Sequence, residues 1–293
     1  MPLPYYIDSP GGTKSIEPFI LIDDEPVPTE NFHKTFVTSR RAQIPTLVLA
    51  WILSDWHIFP ISDLAVGDYE LNSKINRLYL KHANQNAILV AYYLAEKEVD
   101  IIDRSFVVTY IDERAKTELQ IGDIILLDHD SLTEVVSQYS LEDEFFLTVM
   151  RDDEELEVKS EIVLIDDESR IGIVGFTLYD YITVPAIEIL DDRKAEGPSA
   201  GFMMSLAIFD QLVDMQREDL KIAGSGTIDI EGNIGSIGGL EYKIISAAKD
   251  NMDYFFIGID DYEQAKAFKQ EHNLNINVKG FANIEEAVNY LYR

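Results

Sequence analysis

The chain has 293 residues and no cysteine, and its 53 acidic side chains outnumber its 24 basic ones, which gives a net charge of −29. The length predicts roughly two domains, and an apolar fraction of 46% is sufficient for a packed core. A surface this acidic repels phosphate backbones and anionic lipid, so nucleic acid is not expected as a partner. The lack of cysteine excludes disulfides, zinc–thiolate sites and a cysteine nucleophile.

Residues 1–100 are predicted to form turns and strands followed by a helix. The stretches PFILID and KTFVTS are predicted strands, whereas TLVLAWIL is either a strand or a buried helix. Its apolar run is about half of the roughly 20 residues that a membrane span needs, and MPLPYYIDSPGG lacks the features of a signal peptide. Apolar residues between Ala87 and Leu94 recur at helical spacing, which predicts a helix over about 82–97.

Residues 101–165 are predicted to be rich in strands. RSFVVTYI is a strand, LQIGDIILLD is a turn leading into a second strand, and SLTEVVSQY is a short helix capped by its serine. EFFLTVMRDDEELEVKSEIVLI is a hairpin turned at Asp152 and Asp153.

This order of elements resembles a bacterial PDZ domain. The residues that carry the resemblance are Leu119, Gly122, Asp123, Ile124 and Ile125. The resemblance implies that a peptide is captured as an added strand, with a glycine-containing loop at its terminal carboxylate. The segment DIIDRSF before the first strand has no glycine, so a structural domain and a peptide-binding domain are both open interpretations.

Residues 166–293 are predicted to alternate strands and helices, which makes the whole chain an α+β (mixed α/β) protein. The predicted strands are TVPAIEIL, KIAGSGTIDI, YFFIGI and NINVKG, and the predicted helices cover 200–216, 240–250, 261–272 and 283–292. Asp260 with Glu263, and Asn283 with Glu286, have the spacing of capping boxes. The five histidines show no metal-binding spacing, so no metal site is expected.

Ser199 lies in the motif GPSAG, directly ahead of the helix predicted over 200–216. One interpretation is a helix N-cap, in which the hydroxyl accepts a backbone N–H and contributes about 1 kcal/mol. The other is a nucleophile. Gly197, Pro198 and Ala200 leave room for a reacting carbonyl, and N–H groups at a helix start can hold an oxyanion.

Lys243 is predicted to share a helix face with the apolar residues Leu240, Ile244 and Ala247. Such a lysine either extends to solvent or is buried. If it is buried, desolvation lowers its pKa and leaves a neutral amine near pH 7, which can serve as a general base. The glycines of GSGTIDIEGNIGSIGG match neither a dinucleotide-binding nor a Walker motif, so no nucleotide cofactor is expected.

GPSAG followed by GSGTIDIEGNIGSIGGLEYK resembles the proteolytic domain of Lon proteases. The resemblance implies that Ser199 is the nucleophile and Lys243 is its base. Ser225 stands where the family usually has threonine, which implies that its hydroxyl hydrogen-bonds the lysine. The main departures are Glu196 ahead of Gly-Pro-Ser, and Glu241 ahead of the lysine.

The resemblance covers roughly 166–293. The helix ANQNAILVAYYLA resembles one in the first half of the Lon proteolytic domain, so residues 1–100 are expected to complete the protease around an inserted or preceding PDZ-like segment at 101–165. The strand at 184–190 is expected to border the cleft and to pair with extended substrate.

The combination of these segments without a Walker motif resembles the membrane-anchored, ATP-independent Lon-like proteases of Gram-positive bacteria, some of which process peptide pheromones. This implies a serine endopeptidase with a Ser–Lys dyad that cleaves extracellular peptides or unfolded secreted proteins and needs no cofactor. It also implies an N-terminal membrane anchor ahead of LPYYIDSPGG, a catalytic body on the extracellular face, and hexameric rings like those Lon relatives often form. The competing interpretation is a catalytically inactive PDZ-type binding or scaffold protein.

Overall fold

The computed structural model describes residues 3–53, 55–61, 69–127, 130–190, 192, 196–213 and 220–292, with residues 69 and 70 described for their backbone alone. The chain forms two compact units. The first combines Met1–Glu98 with Val184–Arg293, and the second is Val99–Thr183. Helices and sheets occur together, which confirms the predicted mixed α/β class.

The first stretch of the first unit contains β1 (Tyr5–Ser15), a 3-10 turn (Glu17–Phe19), β2 (Ile20–Ile22), β3 (Glu25–Pro26), β4 (Phe32–Arg41), α1 (Ile44–Ile52), β5 (His57–Pro60) and α2 (Tyr69–Leu94). The second unit contains β6 (Glu98–Ile111), β7 (Ile124–Leu126), α3 (Leu132–Val136), β8 (Glu144–Arg151), β9 (Glu154–Glu161), β10 (Val163–Ile165), β11 (Glu168–Arg170) and β12 (Ile173–Val184). The first unit then resumes with β13 (Ile187–Ile189), α4 (Gly201–Leu212), β14 (Ile222–Ser225), β15 (Thr227–Ile228), β16 (Ile234–Gly235), α5 (Leu240–Lys249), β17 (Tyr254–Gly258), α6 (Ile259–Glu271), β18 (Asn277–Phe281) and α7 (Ile284–Tyr292).

A six-stranded sheet organises the first unit, in the order β18-β17-β14-β4-β1-β5. Strands β4, β14, β17 and β18 run parallel, and β1 is antiparallel to both β4 and β5. All four residues of the central strand β14 are buried. A side chain at Gly224 would come within 2.4 Å of Met203 Sδ on α4. The strand's small residues therefore allow α4 to pack closely beside the strand end.

Two helices of the first unit differ from their prediction. TLVLAWIL forms helix α1, but Trp51 is 90% exposed and Ile52 is 72% exposed, so the alternative of a buried helix is wrong. Helix α6 begins at Ile259 after Gly258 and has no side-chain cap, so the predicted capping box at Asp260 is also wrong. Asp260 instead lies in the first helical turn, where a carboxylate interacts favourably with the helix dipole.

The second unit contains a five-stranded sheet in the order β12-β6-β7-β8-β9. Asp152 and Asp153 form the tip of the β8–β9 hairpin with φ angles of 50° and 67°, which confirms the predicted turn. The predicted serine cap is also confirmed, because Ser131 Oγ accepts the N–H of Glu134 at the start of α3. Residues 166–183, which the sequence analysis assigned to the third segment, lie in this unit. The PDZ resemblance stays a prediction.

Among the residues that the structure describes, no helix is both long enough and apolar enough to cross a membrane.

Candidate functional site

Ser199 lies in the turn directly ahead of α4, and hydrogen bonds join the main chain of this turn to the end of β14. The carbonyl oxygen of Ser199 accepts the N–H of Gly226 at 2.8 Å and the hydroxyl of Ser225 at 2.9 Å. Three residues later, Phe202 N–H donates to the carbonyl of Gly226 at 3.1 Å. These bonds fix the serine main chain against the central strand.

The helix-cap interpretation of Ser199 is wrong. Helix α4 begins at Gly201, and Ala200 occupies the cap position without any side-chain cap. The half-buried Ser199 directs its hydroxyl elsewhere: Oγ lies 2.9 Å from Lys243 Nζ. The hydroxyl is therefore free of a structural role in the helix and pairs with an amine.

Lys243 is buried, with 4% of its surface exposed, and its neighbours Leu240, Ile244 and Ala247 on the same face of α5 are buried too. The alternative of a lysine that extends to solvent is therefore wrong. The helix starts from Gly239 at φ +68°. A side chain there would come within 2.7 Å of Val37 Cγ2. Glycine is thus required both for the backbone conformation and for the close approach.

Burial lowers the pKa of Lys243 to about 8, and the negative charge of Asp261 acts in the opposite direction. The hydrogen-bond partners of Nζ are two hydroxyls, Ser199 Oγ at 2.9 Å and Ser225 Oγ at 3.0 Å. Among the residues that the structure describes, no carboxylate lies within ion-pair distance of it. With a pKa near 8, roughly a tenth of the lysine is neutral at pH 7. The amine can therefore both take up and release a proton near neutrality.

Ser225 hydrogen-bonds both Ser199 and Lys243. It is fully buried, and its hydroxyl donates to the carbonyl oxygen of Ser199 while it accepts from Lys243 Nζ. Because that one donor is used on Ser199, the oxygen of Ser225 faces the amine as an acceptor. The structure thus brings together the three side chains that the sequence analysis singled out: Ser199, Ser225 and Lys243.

The remaining candidates, Gly197, Pro198 and Ala200, form the turn itself. Gly197 has a φ of +83°, a conformation that glycine adopts without strain. In the described part of the chain, the N–H groups of Ser199 and Ala200 donate to no backbone carbonyl. Two N–H donors beside the hydroxyl are therefore available to a ligand.

The outer side of the turn contacts α2, which sequence reasoning missed. Glu196 Oε1 accepts the hydroxyl of Ser73 at 2.7 Å and lies 3.9 Å from Arg77 Nε. Gly197 N–H donates to the carbonyl of Asn76 at 3.0 Å. These partners are more than 100 positions apart in the chain, and no local pattern links them.

Strand β13 lies where the sequence analysis expected a strand beside the cleft. It pairs antiparallel with β2, with Ile187 opposite Ile22 and Ile189 opposite Ile20. The sheet order is β13-β2-β3, so the second edge of β13 carries no described strand. That edge has the geometry to accept an extended chain.

The described residues contain no group of three or more His, Asp or Glu side chains that could hold a metal ion.

The second unit contains a groove of about 450 Å³ between α3 and the start of β12. Leu132, Val136, Ile171 and Ile173 contribute apolar lining. Gly172 lies in this wall with φ +80°, and a side chain there would come within 2.7 Å of Ala115 Cβ. The sequence analysis had looked for a glycine before the first strand of this segment. The structure has one beside the last strand, which pairs with the first.

Comparison with known proteins identifies part of the first unit. Residues 182–292 match the Lon protease (S16) C-terminal proteolytic domain, and this match includes Ser199, Ser225 and Lys243. Lon protease 2 of Borreliella burgdorferi is 28% identical to this chain over 96 residues. Those residues are 33% of this chain and 12% of the relative, so the two proteins share a limited part of their lengths.

Proposed function

We propose that this chain, whose residues 182–292 are a Lon-like serine protease domain, is an endopeptidase that uses Ser199 as nucleophile and Lys243 as general base. One observation carries the proposal. Lys243 Nζ lies 2.9 Å from Ser199 Oγ, at a buried position that lowers the pKa of the amine to about 8. A serine hydroxyl beside an amine that is partly neutral at pH 7 is the arrangement that nucleophilic catalysis needs.

In the proposed first step, Ser199 Oγ bonds to the scissile carbonyl carbon while its proton passes to neutral Lys243 Nζ. The carbonyl oxygen gains the negative charge, and the N–H groups of Ser199 and Ala200 are the donors nearest in the chain to receive it. Collapse of this intermediate breaks the C–N bond, and the ammonium of Lys243 returns the proton to the leaving amine. An acyl-enzyme results.

In the second step, water attacks the acyl carbon and gives its proton to the neutral lysine, which then protonates Ser199 Oγ as the acid product leaves. Ser225 supports both steps because it holds the amine and the main chain of the nucleophile through one hydroxyl. No metal ion or nucleotide enters either step, and the sequence contains no Walker motif. We therefore expect cleavage without ATP.

The proposed substrate is an extended peptide or an unfolded protein segment. The open edge of β13 supports this class, because main-chain pairing accepts any sequence in extended form. From the resemblance alone we also propose a membrane anchor ahead of this chain, an extracellular location and a hexameric ring.

A second function, peptide binding by the second unit, is favoured by its groove. The apolar lining and the edge position of β12 suit an extended segment that pairs with the strand and places an apolar side chain in the groove. In the scaffold interpretation this would be the protein's main activity. A Leu132→Glu variant should lose binding of fluorescent peptides, whereas Leu164→Glu, at an exposed position outside the groove, should not.

The proposed peptidase activity is tested with unfolded casein in the absence of ATP. Wild-type protein should cleave it, and Ser199→Ala and Lys243→Ala should not. Lys249→Ala is the matched control, because Lys249 lies on the same helix but is exposed and pairs with Asp55. Circular dichroism checks that each variant folds. Cleavage by Ser199→Ala at the wild-type rate would overturn the assignment, and absence of turnover by every protein would favour the scaffold.

A further inference from the structure

The nucleophile turn is attached to the first unit on two sides. On its inner side the carbonyl of Ser199 is bound by Gly226 and Ser225. On its outer side Glu196 and Gly197 bind α2. We call the outer set the α2 latch: the bond from Ser73 Oγ to Glu196 Oε1, the bond from Gly197 N–H to Asn76 O, and the approach of Arg77.

The latch residues of α2 are spaced so that one helix face presents them together. Positions 73, 76 and 77 are separated by three and four residues, and such positions lie side by side on a helix. The helix thus offers a hydroxyl donor, a carbonyl acceptor and a cation to two consecutive residues of the turn.

Packing does not hold the turn at this point. A side chain added at Gly197 would meet no atom of the described residues within 4 Å, so side-chain packing in that direction does not restrict the residue. Its φ of +83° belongs to a residue with wide conformational freedom. Among the contacts of the described residues, the hydrogen bonds of the α2 latch are therefore the ones that hold the chain two residues before Ser199.

We propose that Glu196 is a positioning residue, which holds the turn on α2 and so keeps Ser199 Oγ in line with Lys243 Nζ. This inference rests on the proposed peptidase function. Glu196 acts through the main chain of the turn and not on substrate, so its loss should slow the chemical step without weakening substrate binding. A small displacement of a reacting atom is enough to reduce the rate of that step.

The bond to Ser73 contributes more to the latch than the approach of Arg77. The Ser73–Glu196 distance is 2.7 Å, whereas the Arg77 guanidinium lies 3.9 Å away on a side chain that is 68% exposed. Exposed ion pairs at such distances contribute little. A glutamine at position 196 keeps an oxygen that accepts the hydroxyl of Ser73, so it should preserve the latch.

The kinetic test uses a fluorogenic peptide and four variants. Glu196→Ala and Ser73→Ala should each lower kcat roughly tenfold, with KM and the pH midpoint of the rate unchanged. Glu196→Gln should restore most of the rate, and the double variant Glu196→Ala/Ser73→Ala should lose no more than either single variant. Glu231→Ala, at the exposed tip of the β15–β16 hairpin, is the control for loss of one negative charge.

A second readout does not depend on catalysis. Amide hydrogen exchange of peptides covering residues 196–202 should be faster in Glu196→Ala than in wild type, because the N–H of Gly197 loses its hold on Asn76. If wild type cleaves nothing, the proposed function fails while the exchange data still decide about the latch. A rise in KM alone would make Glu196 a substrate contact, and unchanged kcat with unchanged exchange would mean that no latch exists. Either result would overturn the inference.

Discussion

Two lysines of the first unit expose little of their surface, and their amines have different hydrogen-bond partners. Lys34 on β4 has a side chain that is 12% exposed, and its Nζ lies 2.9 Å from Asp192 Oδ2. Lys14 binds the same oxygen at 2.9 Å. Lys243 on α5 is 4% exposed, and its amine binds the hydroxyls of Ser199 and Ser225. Both side chains expose little surface, and the partners of their amines differ: a carboxylate for Lys34 and two hydroxyls for Lys243.

The counter-charge decides what each lysine can do. Burial alone would raise the pKa of Asp192, but hydrogen bonds from Lys14 and Lys34 outweigh it and hold that pKa at about 2. An ionised carboxylate that accepts hydrogen bonds from two lysines ties the elements that carry them together. Lys243 has no carboxylate at hydrogen-bond distance in the described structure, and burial lowers its pKa to about 8. Lys243 can therefore act as a base, whereas Lys34 forms a structural ion pair with Asp192.

The largest expected effect is on peptide cleavage, which should depend on Lys243 and not on Lys34. Lys243→Met should lower kcat/KM at least ~10³-fold, because loss of one member of a catalytic pair removes most of the rate. Lys34→Met should leave peptide cleavage near the wild-type level. The measurement is cleavage of a fluorogenic peptide at pH 8. Equal losses in both variants would mean that the counter-charge does not distinguish their roles.

The pH dependence of kcat/KM tests whether Lys243 acts as a desolvated base. We expect kcat/KM to rise with pH and to level off above a midpoint near 8, since the reacting form of Lys243 is neutral. Well below that midpoint the rate should fall about tenfold per pH unit, because the neutral fraction does. Initial rates from pH 6 to pH 10 test this. A midpoint at the ordinary lysine value of 10.5 would remove the argument for a desolvated base.

Much of this site follows from local pattern, because its features depend on neighbours in the sequence. The face shared by Lys243 with Leu240 and Ile244 predicts burial, since helical spacing fixes which side chains point together. The motif around Ser199 and its distance along the chain from Lys243 carry the resemblance to Lon. Spacing alone did not separate a helix cap from a nucleophile, because both occur at a helix start. The observed start of α4 at Gly201 separates them.

What could not be predicted depends on partners far away in the sequence. Glu196 had no explanation because Ser73 lies 123 positions before it. The glycine of the groove in the second unit was sought before β6, whereas Gly172 precedes β12, the last strand to join that sheet. The exposure of Trp51 was missed for a similar reason, since an apolar run does not reveal whether another element covers it.

Replacing Lys243 and replacing Asp192, the counter-charge of Lys34, should change the free energy of unfolding in opposite directions at pH 7. The folded-state pKa of Lys243 lies below its unfolded value, so the folded protein holds a poorly solvated charge at pH 7. Lys243→Met should therefore raise the free energy of unfolding at pH 7 by up to roughly 3 kcal/mol. That gain should shrink as pH rises from 8 towards 10.5, where the wild-type lysine loses its proton in both states.

Asp192→Asn should instead lower the free energy of unfolding by about 1–2 kcal/mol, because it leaves Lys14 and Lys34 without their shared counter-charge. Urea denaturation at pH 7 and pH 9.5 measures both variants. Destabilisation by Lys243→Met at pH 7 would show that its hydrogen bonds to the two serines outweigh the desolvation of the charge.

The smallest expected effect concerns Asp261, whose charge partly offsets the lowering of the Lys243 pKa by burial. Its Oδ2 accepts the N–H of Ile237 at 3.0 Å in the loop ahead of α5, and its charge raises the pKa of Lys243. Asp261→Asn keeps an oxygen for that bond and removes the charge. The pH midpoint of kcat/KM should move below the wild-type value, with the high-pH plateau unchanged. The displacement should be smaller than that caused by burial, which is the larger influence.

Asp260→Asn is the matched control, because it removes the same charge one residue away at an exposed position of the same helical turn. Its midpoint should equal that of wild type. If both variants move the midpoint equally, the general negative charge of the surface, and not the placement of Asp261, sets the protonation of the lysine. Asp261→Asn could instead lower the plateau and leave the midpoint in place. That result would mean that Asp261 acts only through its hydrogen bond to the loop, and that its charge does not affect the pKa of Lys243.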